Sequence, residues 1–379
     1  MQNNNRVKQI LPPEMIGIIG GGQLGRMMAI AAKYMGYRVI VLDPTPNCPT
    51  AQVADEQIVA PYDDIDAIKE LTDKSAVVTY EFENVDLQAA KYIEQAGKLP
   101  QGAFALEVTQ NREKEKTLTK ELGLPVPEFS IVHNRNECEA ALKNFPLPAV
   151  MKTCRGGYDG KGQLKIETES DKDAAIQFSD QGGTFIIERW IPFDLEISVV
   201  FTREQNGNIQ FFPISENEHK DHILYTTIVP ARVSERVQEK ALQAAKMLAE
   251  KINIVGTFAI EMFVKGEDIF INEMAPRPHN SGHYSIEACN VSQFSQHIRA
   301  VCGLPLEEVQ LLKHAVMVNV LGEDMPKAFH ALKSMSNANV HFYGKADAKA
   351  KRKMGHVTFI GETFKDVLKM RDRYEEAYE

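Results

Sequence analysis

The chain has 379 residues, of which 44% are hydrophobic and 25% are charged, and this composition excludes disordered, collagen-like and disulfide-scaffold proteins. At about 150 residues per domain, the length predicts two or three domains with their own cores. The formal net charge of −9 argues against nucleic acid as the main partner, although local clusters of Lys and Arg can still bind small phosphorylated ligands.

The first part of the chain alternates strand-like and helix-like segments. An apolar run from Met15 enters a glycine loop, a helix is predicted at QLGRMMAIAAKYMG, and strands are predicted at YRVIVLDP, DEQIVAPY and SAVVTYEF. This order predicts a Rossmann-like parallel-sheet domain over residues 1–108. Within it, three glycines and a later acid fit the dinucleotide motif G-x-G-x-x-G, namely Gly20, Gly22, Gly25 and Asp43. The same glycines would suit any anionic group at a helix N-terminus.

The rest of the chain has α+β patterning. A polar helix is predicted over residues 111–122, strands at LPAVMKTC, TFIIERWI, DLEISVVF, IQFFPI and TFAIEMFV, and helices at RVQEKALQAAKMLAEKI and SIEACNVSQFSQHIRAV. We expect a central domain over residues 109–303. A small β-rich domain over residues 304–379 contains AVMVNVL, NVHFYG and GHVTFI, and it must pack against the rest because it is too short for a large core.

The segment FAIEMFVKGEDIFINE carries an acidic residue on each of its two predicted strands, Glu261 and Glu273, and this pair predicts a metal site. A three-residue turn at residues 266–268 would oppose them on one face of a hairpin, whereas a two-residue turn would oppose Glu261 to Asn272. Opposed carboxylates repel each other unless a cation compensates, and oxygen ligands favour Mg²⁺ that bridges nucleotide phosphates. The alternative is an exposed hairpin face with screened charges.

Two further segments concentrate polar chemistry. CRGGYDGKGQ follows a predicted strand that ends at Lys152, and its four glycines and nearby cations can direct N–H groups and charge at a phosphate, although it lacks the Walker spacing. NEMAPRPHNSGH gathers Arg277, His279 and Asn280 in a Pro- and Gly-rich loop of the kind that carries functional sites. The paired histidines of the chain lack the helical H-E-x-x-H pattern and the thiolate partners of a zinc site.

Cysteine usage and the N-terminal segment indicate a compartment. The five cysteines are an odd number without a C-x-x-C pair, so neither a disulfide framework nor a zinc knuckle is predicted. MQNNNRVKQILPPE lacks the apolar core of a secretory signal, and no stretch reaches the ~18 apolar residues of a membrane span. We therefore expect a cytoplasmic protein without a membrane partner.

In chain order, GGGQLGRM, TYEFENV, QNREKEK, MKTCRGGYDGKGQ, ERWIPFDLE, NEHKDHIL, NEMAPRPHNSGH and KRKMGHV resemble the N5-carboxyaminoimidazole ribonucleotide synthetases, a family of ATP-grasp ligases in purine biosynthesis. The resemblance spans residues 15–361 and implies a three-domain ATP-grasp fold that uses ATP with Mg²⁺, or with Mn²⁺ in its place. It implies carboxylation of 5-aminoimidazole ribonucleotide by ATP and bicarbonate through carboxyphosphate, giving ADP and phosphate. A homodimer is the family-based expectation.

The resemblance also implies roles for residues at matching positions. The nucleotide would contact Arg112, Lys152, Gly157, Tyr158, Asp159, Gly160, Lys161, Gly162, Gln163, Glu188, Arg189, Trp190, Ile191, Glu196, His219 and Asn272, and the metal would bind Glu261 and Glu273. The ribonucleotide would contact Gln23, Leu24, Glu81 or Glu83, Asn280, Lys345 and Arg352. The catalytic group would comprise Arg277, His279, Tyr158, Asp159 and Lys161, with Arg277 and His279 acting on bicarbonate or the transferring phosphoryl group.

Other functions fit parts of the sequence. The formate-dependent glycinamide ribonucleotide transformylases share the three-domain plan, but Tyr158 and Asp159 before GKGQ and the compact C-terminus favour the carboxylating family. An NAD-dependent oxidoreductase would use only the glycine motif, and a catalytically silent nucleotide-binding regulator is a third class. In KADAKAKRKMGH the sequence leaves open which of Lys349, Lys351 and Lys353 is merely solvated.

Overall fold

The computed structural model describes residues 8–156 and 162–376, which form 17 strands and 12 α-helices. The strands are β1 Met15–Ile19, β2 Arg38–Leu42, β3 Glu56–Ile58, β4 Val77–Tyr80, β5 Phe129–Val132, β6 Ala149–Thr153, β7 Gln163–Ile166, β8 Phe185–Arg189, β9 Leu195–Arg203, β10 Ile209–Phe211, β11 Ser215–Lys220, β12 Ile223–Val229, β13 Gly256–Lys265, β14 Asp268–Ala275, β15 His314–Leu321, β16 Asn339–Phe342 and β17 Lys353–Gly361. The helices are α1 Gln23–Tyr34, α2 Ile65–Lys74, α3 Leu87–Gln95, α4 Ala103–Thr109, α5 Arg112–Glu121, α6 Arg135–Leu142, α7 Lys172–Ser179, α8 Glu235–Ile252, α9 Ser285–Ala288, α10 Gln293–Val301, α11 Met325–Ser334 and α12 Phe364–Glu376.

The first sheet is parallel throughout, with the strand order β3-β2-β1-β4. Every residue of β1 and β4 is buried, as expected for strands covered by helices on both faces. Helices α1 and α10 pack on one face, and α2 and α3 pack on the other. This arrangement confirms the predicted Rossmann-like sheet and brings the carboxyl ends of β1 and β4 to the glycine loop.

The central part of the chain contributes two sheets. An antiparallel sheet in the order β5-β8-β6-β7 packs against α6 and α7. A nine-stranded sheet begins with β14-β13-β9-β11-β12, and α8 covers its start. Helix α8 buries one apolar stripe, because Ala241, Ala245, Leu248 and Ile252 recur at the spacing of a single helical face.

The C-terminal strands extend the same nine-stranded sheet. β15 pairs with β12, β17 pairs with β15, and β16 pairs with β17, all antiparallel. Helices α11 and α12 cover this end with a core that includes Ala328, Val367 and Tyr374. The expectation that this segment packs against the rest of the chain is confirmed. None of the helices in the described part of the chain is long and apolar enough to cross a membrane.

The single helix predicted at SIEACNVSQFSQHIRAV is wrong. The segment forms α9 and α10, separated by residues 289–292. Cys289 forms a β-bridge with Leu311, and Ser292 caps α10 because its hydroxyl oxygen accepts the N–H of Ser295 at 3.1 Å. The apolar periodicity runs through both helices and obscured the start signal at Ser292.

Candidate active site

A cleft of about 840 Å³ lies where the two sheets of the central part meet the N-terminal domain. It is lined by most of the predicted site residues, namely Glu83, Arg112, Lys152, Gly162, Gln163, Glu188, Arg189, Trp190, Ile191, Glu196, His219, Glu261, Asn272, Glu273, Arg277, His279 and Asn280. Among the described residues, those predicted to bind but outside this lining are Gln23, Leu24, Glu81, Lys345 and Arg352. Gly157, Tyr158, Asp159, Gly160 and Lys161 lie outside the described residues.

The β13–β14 hairpin brings Glu261 directly opposite Glu273, as predicted. The three-residue turn behind that prediction is wrong, because Lys265 pairs with Asp268 and only residues 266–267 form the turn. Such a turn by itself would oppose Glu261 to Asn272. A second feature of the hairpin must therefore correct the register.

That feature is a β-bulge in β14. Met262 still pairs with Ile271, but the next pair is Glu261 with Glu273, so Asn272 is the extra residue of the bulge. Both Asn272 and Glu273 line the cleft. The bulge thus restores the opposition of the two carboxylates and adds an amide beside them.

The paired carboxylates fit Mg²⁺. Burial and the charge of Glu273 raise the pKa of Glu261 well above its usual range. Arg112 donates to Glu273 at 3.3 Å. Within residues 8–156 and 162–376, no group of three or more His, Cys, Asp or Glu is arranged as a metal cage. Two carboxylates with ligands completed by substrate phosphates are a usual arrangement for Mg²⁺, so the donor set suits a nucleotide-bound metal.

Glu188, near the end of β8, pairs with two lysines. Its carboxylate lies 2.5 Å from the Lys152 ammonium and 3.0 Å from that of Lys116. Burial by itself would raise the pKa of Glu188, but the two ammonium groups hold it below its usual range. Of these groups Glu188 and Lys152 line the cleft, and the Lys152 ammonium suits recognition of phosphate groups.

Glu196 and His219 form a pair on neighbouring strands of the large sheet. His219 Nδ1 donates to the Glu196 carboxylate. Burial by itself would lower the pKa of His219, but the hydrogen bond and charge of Glu196 outweigh it and raise the pKa. Both side chains line the cleft, where the carboxylate can accept hydrogen bonds from ribose hydroxyls.

The loop after β14 ties the N-terminal domain to the hairpin. Arg277 Nε donates to Glu83 at 2.7 Å. His279 Nδ1 accepts the N–H of Ser281 at 3.3 Å, and its Nε2 lies 3.5 Å from a Glu261 oxygen. Burial and the charge of Arg277 lower the pKa of His279 well below its usual value, which favours the neutral ring.

The glycine loop holds a carboxylate of the same chain. Glu81 accepts the N–H groups of Gly22 and Gly25 at the N-terminus of α1, the second at 2.6 Å. A Cβ at Gly22 would lie 2.6 Å from the Glu81 oxygen, and Asp43 accepts the N–H of Gly21 at 2.7 Å. These glycines therefore make room for two acidic side chains, and the dinucleotide interpretation of the motif is wrong.

The C-terminal loop lies against the N-terminal domain. Gln52 Nε2 donates to the carbonyl of Gly344 at 2.8 Å, which brings the segment that carries Lys345 and Arg352 to this domain. Gln52 also accepts a hydrogen bond from α1, the helix that begins at Gln23. A phosphate site shared by Gln23, Leu24, Lys345 and Arg352 stays a prediction.

Comparison with known proteins identifies the family. Three family models match the chain: a ribonucleotide synthetase preATP-grasp domain over residues 14–110, an ATP-grasp domain over 117–294 and a phosphoribosylaminoimidazole carboxylase C-terminal domain over 315–370. The chain is 48% identical over 355 residues to the N5-carboxyaminoimidazole ribonucleotide synthase of Bacillus subtilis, with 93% of each chain covered. The chain belongs to the N5-carboxyaminoimidazole ribonucleotide synthase family of ATP-grasp ligases.

Solved structures of this synthase family confirm the fold. One crystal structure of a synthetase in complex with ADP has a TM-score of 0.94 and 48% sequence identity, covering 97% of this chain and 98% of that chain. The Aspergillus clavatus synthase in complex with ADP and 5-aminoimidazole ribonucleotide has a TM-score of 0.88 and 28% identity, covering 96% of this chain and 98% of that chain. The three-domain ATP-grasp architecture predicted from the motifs is confirmed.

Several cleft residues of this synthase were missed or left open by the sequence. Phe193 and Phe263 stack in parallel with centroids 4.6 Å apart and form an apolar wall. Glu115 lines the cleft from α5 and is buried together with its neighbour Lys116. Glu115 lies three residues before Leu118 on the same helix face, and charge on an apolar face is the signal that could have found it.

The structure also locates two further residues, Lys353 and Asn280, at the cleft. Lys353, which the sequence could not separate from solvated lysines, lines the cleft. The side-chain amide of Asn280 is paired reciprocally with that of Asn319, at 2.8 and 3.0 Å. Asn280 therefore stands at a fixed orientation on the cleft wall.

Proposed function

We propose that the protein catalyses the ATP- and bicarbonate-dependent carboxylation of 5-aminoimidazole ribonucleotide to N5-carboxyaminoimidazole ribonucleotide through carboxyphosphate, releasing ADP and phosphate. The observation that carries the proposal is a single cleft that joins the opposed carboxylates Glu261 and Glu273 to the lysine-bearing wall around Glu188. Relatives crystallised with ADP, and with ADP and 5-aminoimidazole ribonucleotide, support it. The three domains of the proposal are residues 1–108, 109–303 and 304–379.

The nucleotide lies along the wall between the two central sheets. Arg112 and Lys152 face its phosphates, and residues 157–163 contact the same phosphates. The segment of residues 188–191 lines the adenine, together with the apolar wall of Phe193 and Phe263. Glu196 accepts hydrogen bonds from the ribose hydroxyls, and its contact with His219 fixes its orientation.

Glu261 and Glu273 hold Mg²⁺, which Mn²⁺ can replace, and Asn272 lies beside them at the nucleotide. When bound, the metal supplies charge neutralisation at the phosphoryl group in transfer. Arg112 adds a fixed positive charge through its contact with Glu273 at 3.3 Å. Lys161, which lies outside the described residues, belongs to the same proposal.

Bicarbonate is a poor electrophile and must be activated. One of its oxygens attacks the γ-phosphorus of ATP, ADP leaves, and carboxyphosphate forms. The substrate amine then attacks the carboxyphosphate carbon, the C–O bond to phosphate breaks, and the amine loses a proton. Arg277, oriented by Glu83, and neutral His279 hold the anion and its partner in line, so positioning and electrostatics carry the catalysis without an enzyme nucleophile.

The ribonucleotide binds between the N-terminal domain and the C-terminal loop. Gln23 and Leu24 present the N-terminus of α1, and Lys345 with Arg352 supply charge for its 5′-phosphate. Tyr158, Asp159 and Asn280 contact the same substrate. Of the two glutamates of TYEFEN, Glu83 lines the cleft, whereas Glu81 is bonded to the glycine loop, so we assign the contact to Glu83.

A substrate-dependence assay tests this function. ADP release should require both 5-aminoimidazole ribonucleotide and bicarbonate, and formate with glycinamide ribonucleotide should give none. ADP release with formate and glycinamide ribonucleotide alone would overturn the proposal in favour of the transformylase.

We also propose a cytoplasmic homodimer, and sedimentation equilibrium should give twice the mass of one chain.

A further inference from the structure

Helix α5 buries two adjacent charged side chains. Glu115 is 2% exposed and Lys116 is fully buried, although Lys114 and Thr117 on either side of them are exposed. A buried charge is costly unless it is paired and hydrogen-bonded. Each of these residues therefore needs partners, and both have backbone partners in β14, the strand that carries Glu273.

Lys116 binds the bulge itself. Its ammonium donates to the carbonyl of Ile271 at 3.0 Å and to that of Asn272 at 2.7 Å. A bulge interrupts the hydrogen-bond ladder and leaves backbone groups in need of other partners. Lys116 supplies a donor to two successive carbonyls at the position where the extra residue is accommodated.

Glu115 binds the other side of the same glutamate. Its carboxylate accepts the N–H of Met274 at 2.5 Å. Helix α5 thus contacts the backbone immediately before and immediately after Glu273. The same Lys116 ammonium lies 3.0 Å from Glu188, so it also links the hairpin to the sheet that lines the nucleotide.

We propose that Lys116 and Glu115 are positioning residues that hold the bulge in β14 and thereby keep Glu273 opposite Glu261. The two-residue turn alone would oppose Glu261 to Asn272, so the metal-binding geometry depends on the bulge. This inference rests on the proposed role of Glu261 and Glu273 as metal ligands.

The first test replaces Lys116 by Met, which keeps the length of the side chain and removes its donors. Residues that orient metal ligands typically contribute 10- to 100-fold to metal affinity, so Lys116→Met should weaken Mn²⁺ binding to the ADP complex at least about tenfold. Electron paramagnetic resonance measures free and bound Mn²⁺ without turnover. The KM for 5-aminoimidazole ribonucleotide should stay within about twofold, which separates positioning from a general loss of structure.

The matched control is Lys120→Met, one turn further along the same helix, where the side chain is exposed. It should bind Mn²⁺ like the unmodified protein. Unchanged Mn²⁺ affinity in Lys116→Met would overturn the inference, as would an equal loss in both variants. Glu273→Gln separates this failure from that of the proposed function: if it too leaves Mn²⁺ binding unchanged, the metal site itself is misassigned.

A second pair of variants keeps the inference testable if Lys116→Met does not fold. Glu115→Gln retains an oxygen that can accept the N–H of Met274, so its Mn²⁺ affinity should stay within about threefold. Glu115→Leu removes that acceptor and should weaken Mn²⁺ binding about tenfold. Equal Mn²⁺ affinity in the two variants would contradict a positioning role for Glu115.

Discussion

The glycine loop before α1 and the β13–β14 hairpin both organise acidic side chains, but they compensate the charge differently. At the loop, the backbone N–H groups of Gly22 and Gly25 and the helix N-terminus stabilise the Glu81 carboxylate within the chain. At the hairpin, Glu261 and Glu273 oppose each other in a cleft. Burial and the charge of Glu273 raise the pKa of Glu261, and a bound cation would relieve the repulsion between the two carboxylates. The glycine motif therefore binds an acid of its own chain through Gly22 and Gly25, whereas the repulsive pair is the one that we propose to bind a metal.

We expect the largest effect from Glu273→Gln. The amide cannot supply the negative charge that a metal needs, so turnover should fall by at least about 100-fold while the protein stays folded. Steady-state ADP release and circular dichroism measure the two effects. Glu267→Gln, at the exposed turn of the same hairpin, is the control and should keep full turnover. Unchanged turnover in Glu273→Gln would remove Glu273 from the mechanism.

Glu83→Gln tests the link between the two regions. Arg277 would lose the charged partner that holds its Nε, and hydrogen bonds to charged groups contribute about 1.5–3 kcal/mol. The KM for bicarbonate should therefore rise about tenfold or more. Glu70→Gln, which alters an exposed ion pair with Lys74, should leave it unchanged. A normal bicarbonate KM in Glu83→Gln would contradict the proposal that Arg277, held by Glu83, binds bicarbonate.

Gly22→Ala tests the structural role of the glycine loop. The new Cβ would stand 2.6 Å from the Glu81 oxygen, and such crowding costs about 1–3 kcal/mol. The free energy of unfolding, measured in urea, should fall by that amount. Binding of NADH should be undetectable in both the unmodified protein and the variant. Tight NADH binding, or unaltered stability, would contradict the account of this loop.

The smallest expected effect is a proton linkage at the hairpin. Burial and Glu273 raise the pKa of Glu261 above its usual value, so without metal this carboxyl binds a proton at neutral pH. A metal must displace that proton, and its affinity should rise with pH until the pH passes the raised pKa. Calorimetry of Mg²⁺ binding to the ADP complex, in buffers of different ionisation enthalpy, should show proton release at pH 7 that declines at higher pH. No release at pH 7 would contradict it.

The sequence predicted the facing carboxylates but not what holds them. The opposition of Glu261 and Glu273 followed from strand register, yet the turn that produced it was wrong, and the bulge at Asn272 corrected the error. The bulge could not be predicted locally because its partners Glu115 and Lys116 lie about 150 residues earlier in the chain. Secondary structure with clear periodicity, such as α8 and the parallel strands, was predictable because its signals are local.

The contrast between local signals and distant contacts also explains why the first sheet was predictable and the role of the glycine loop was not. Parallel strands of the first domain are continuous apolar runs, and their order follows from the alternation with helices. The occupation of the glycine loop by Glu81 depends on a residue 56 positions after Gly25, which no short motif contains. Motif spacing thus identified the family, and most of the residues that it predicted line the cleft, whereas the pairing of buried charges required the fold.

The most direct test of metal binding by Glu261 and Glu273 is a crystal structure of the protein with ADP and Mn²⁺, in which anomalous scattering locates the metal. We expect the Mn²⁺ peak within about 2.0–2.3 Å of carboxylate oxygens of both Glu261 and Glu273, because divalent cations bind such oxygens at these distances. A nucleotide-bound Mn²⁺ peak that contacts neither glutamate would contradict it.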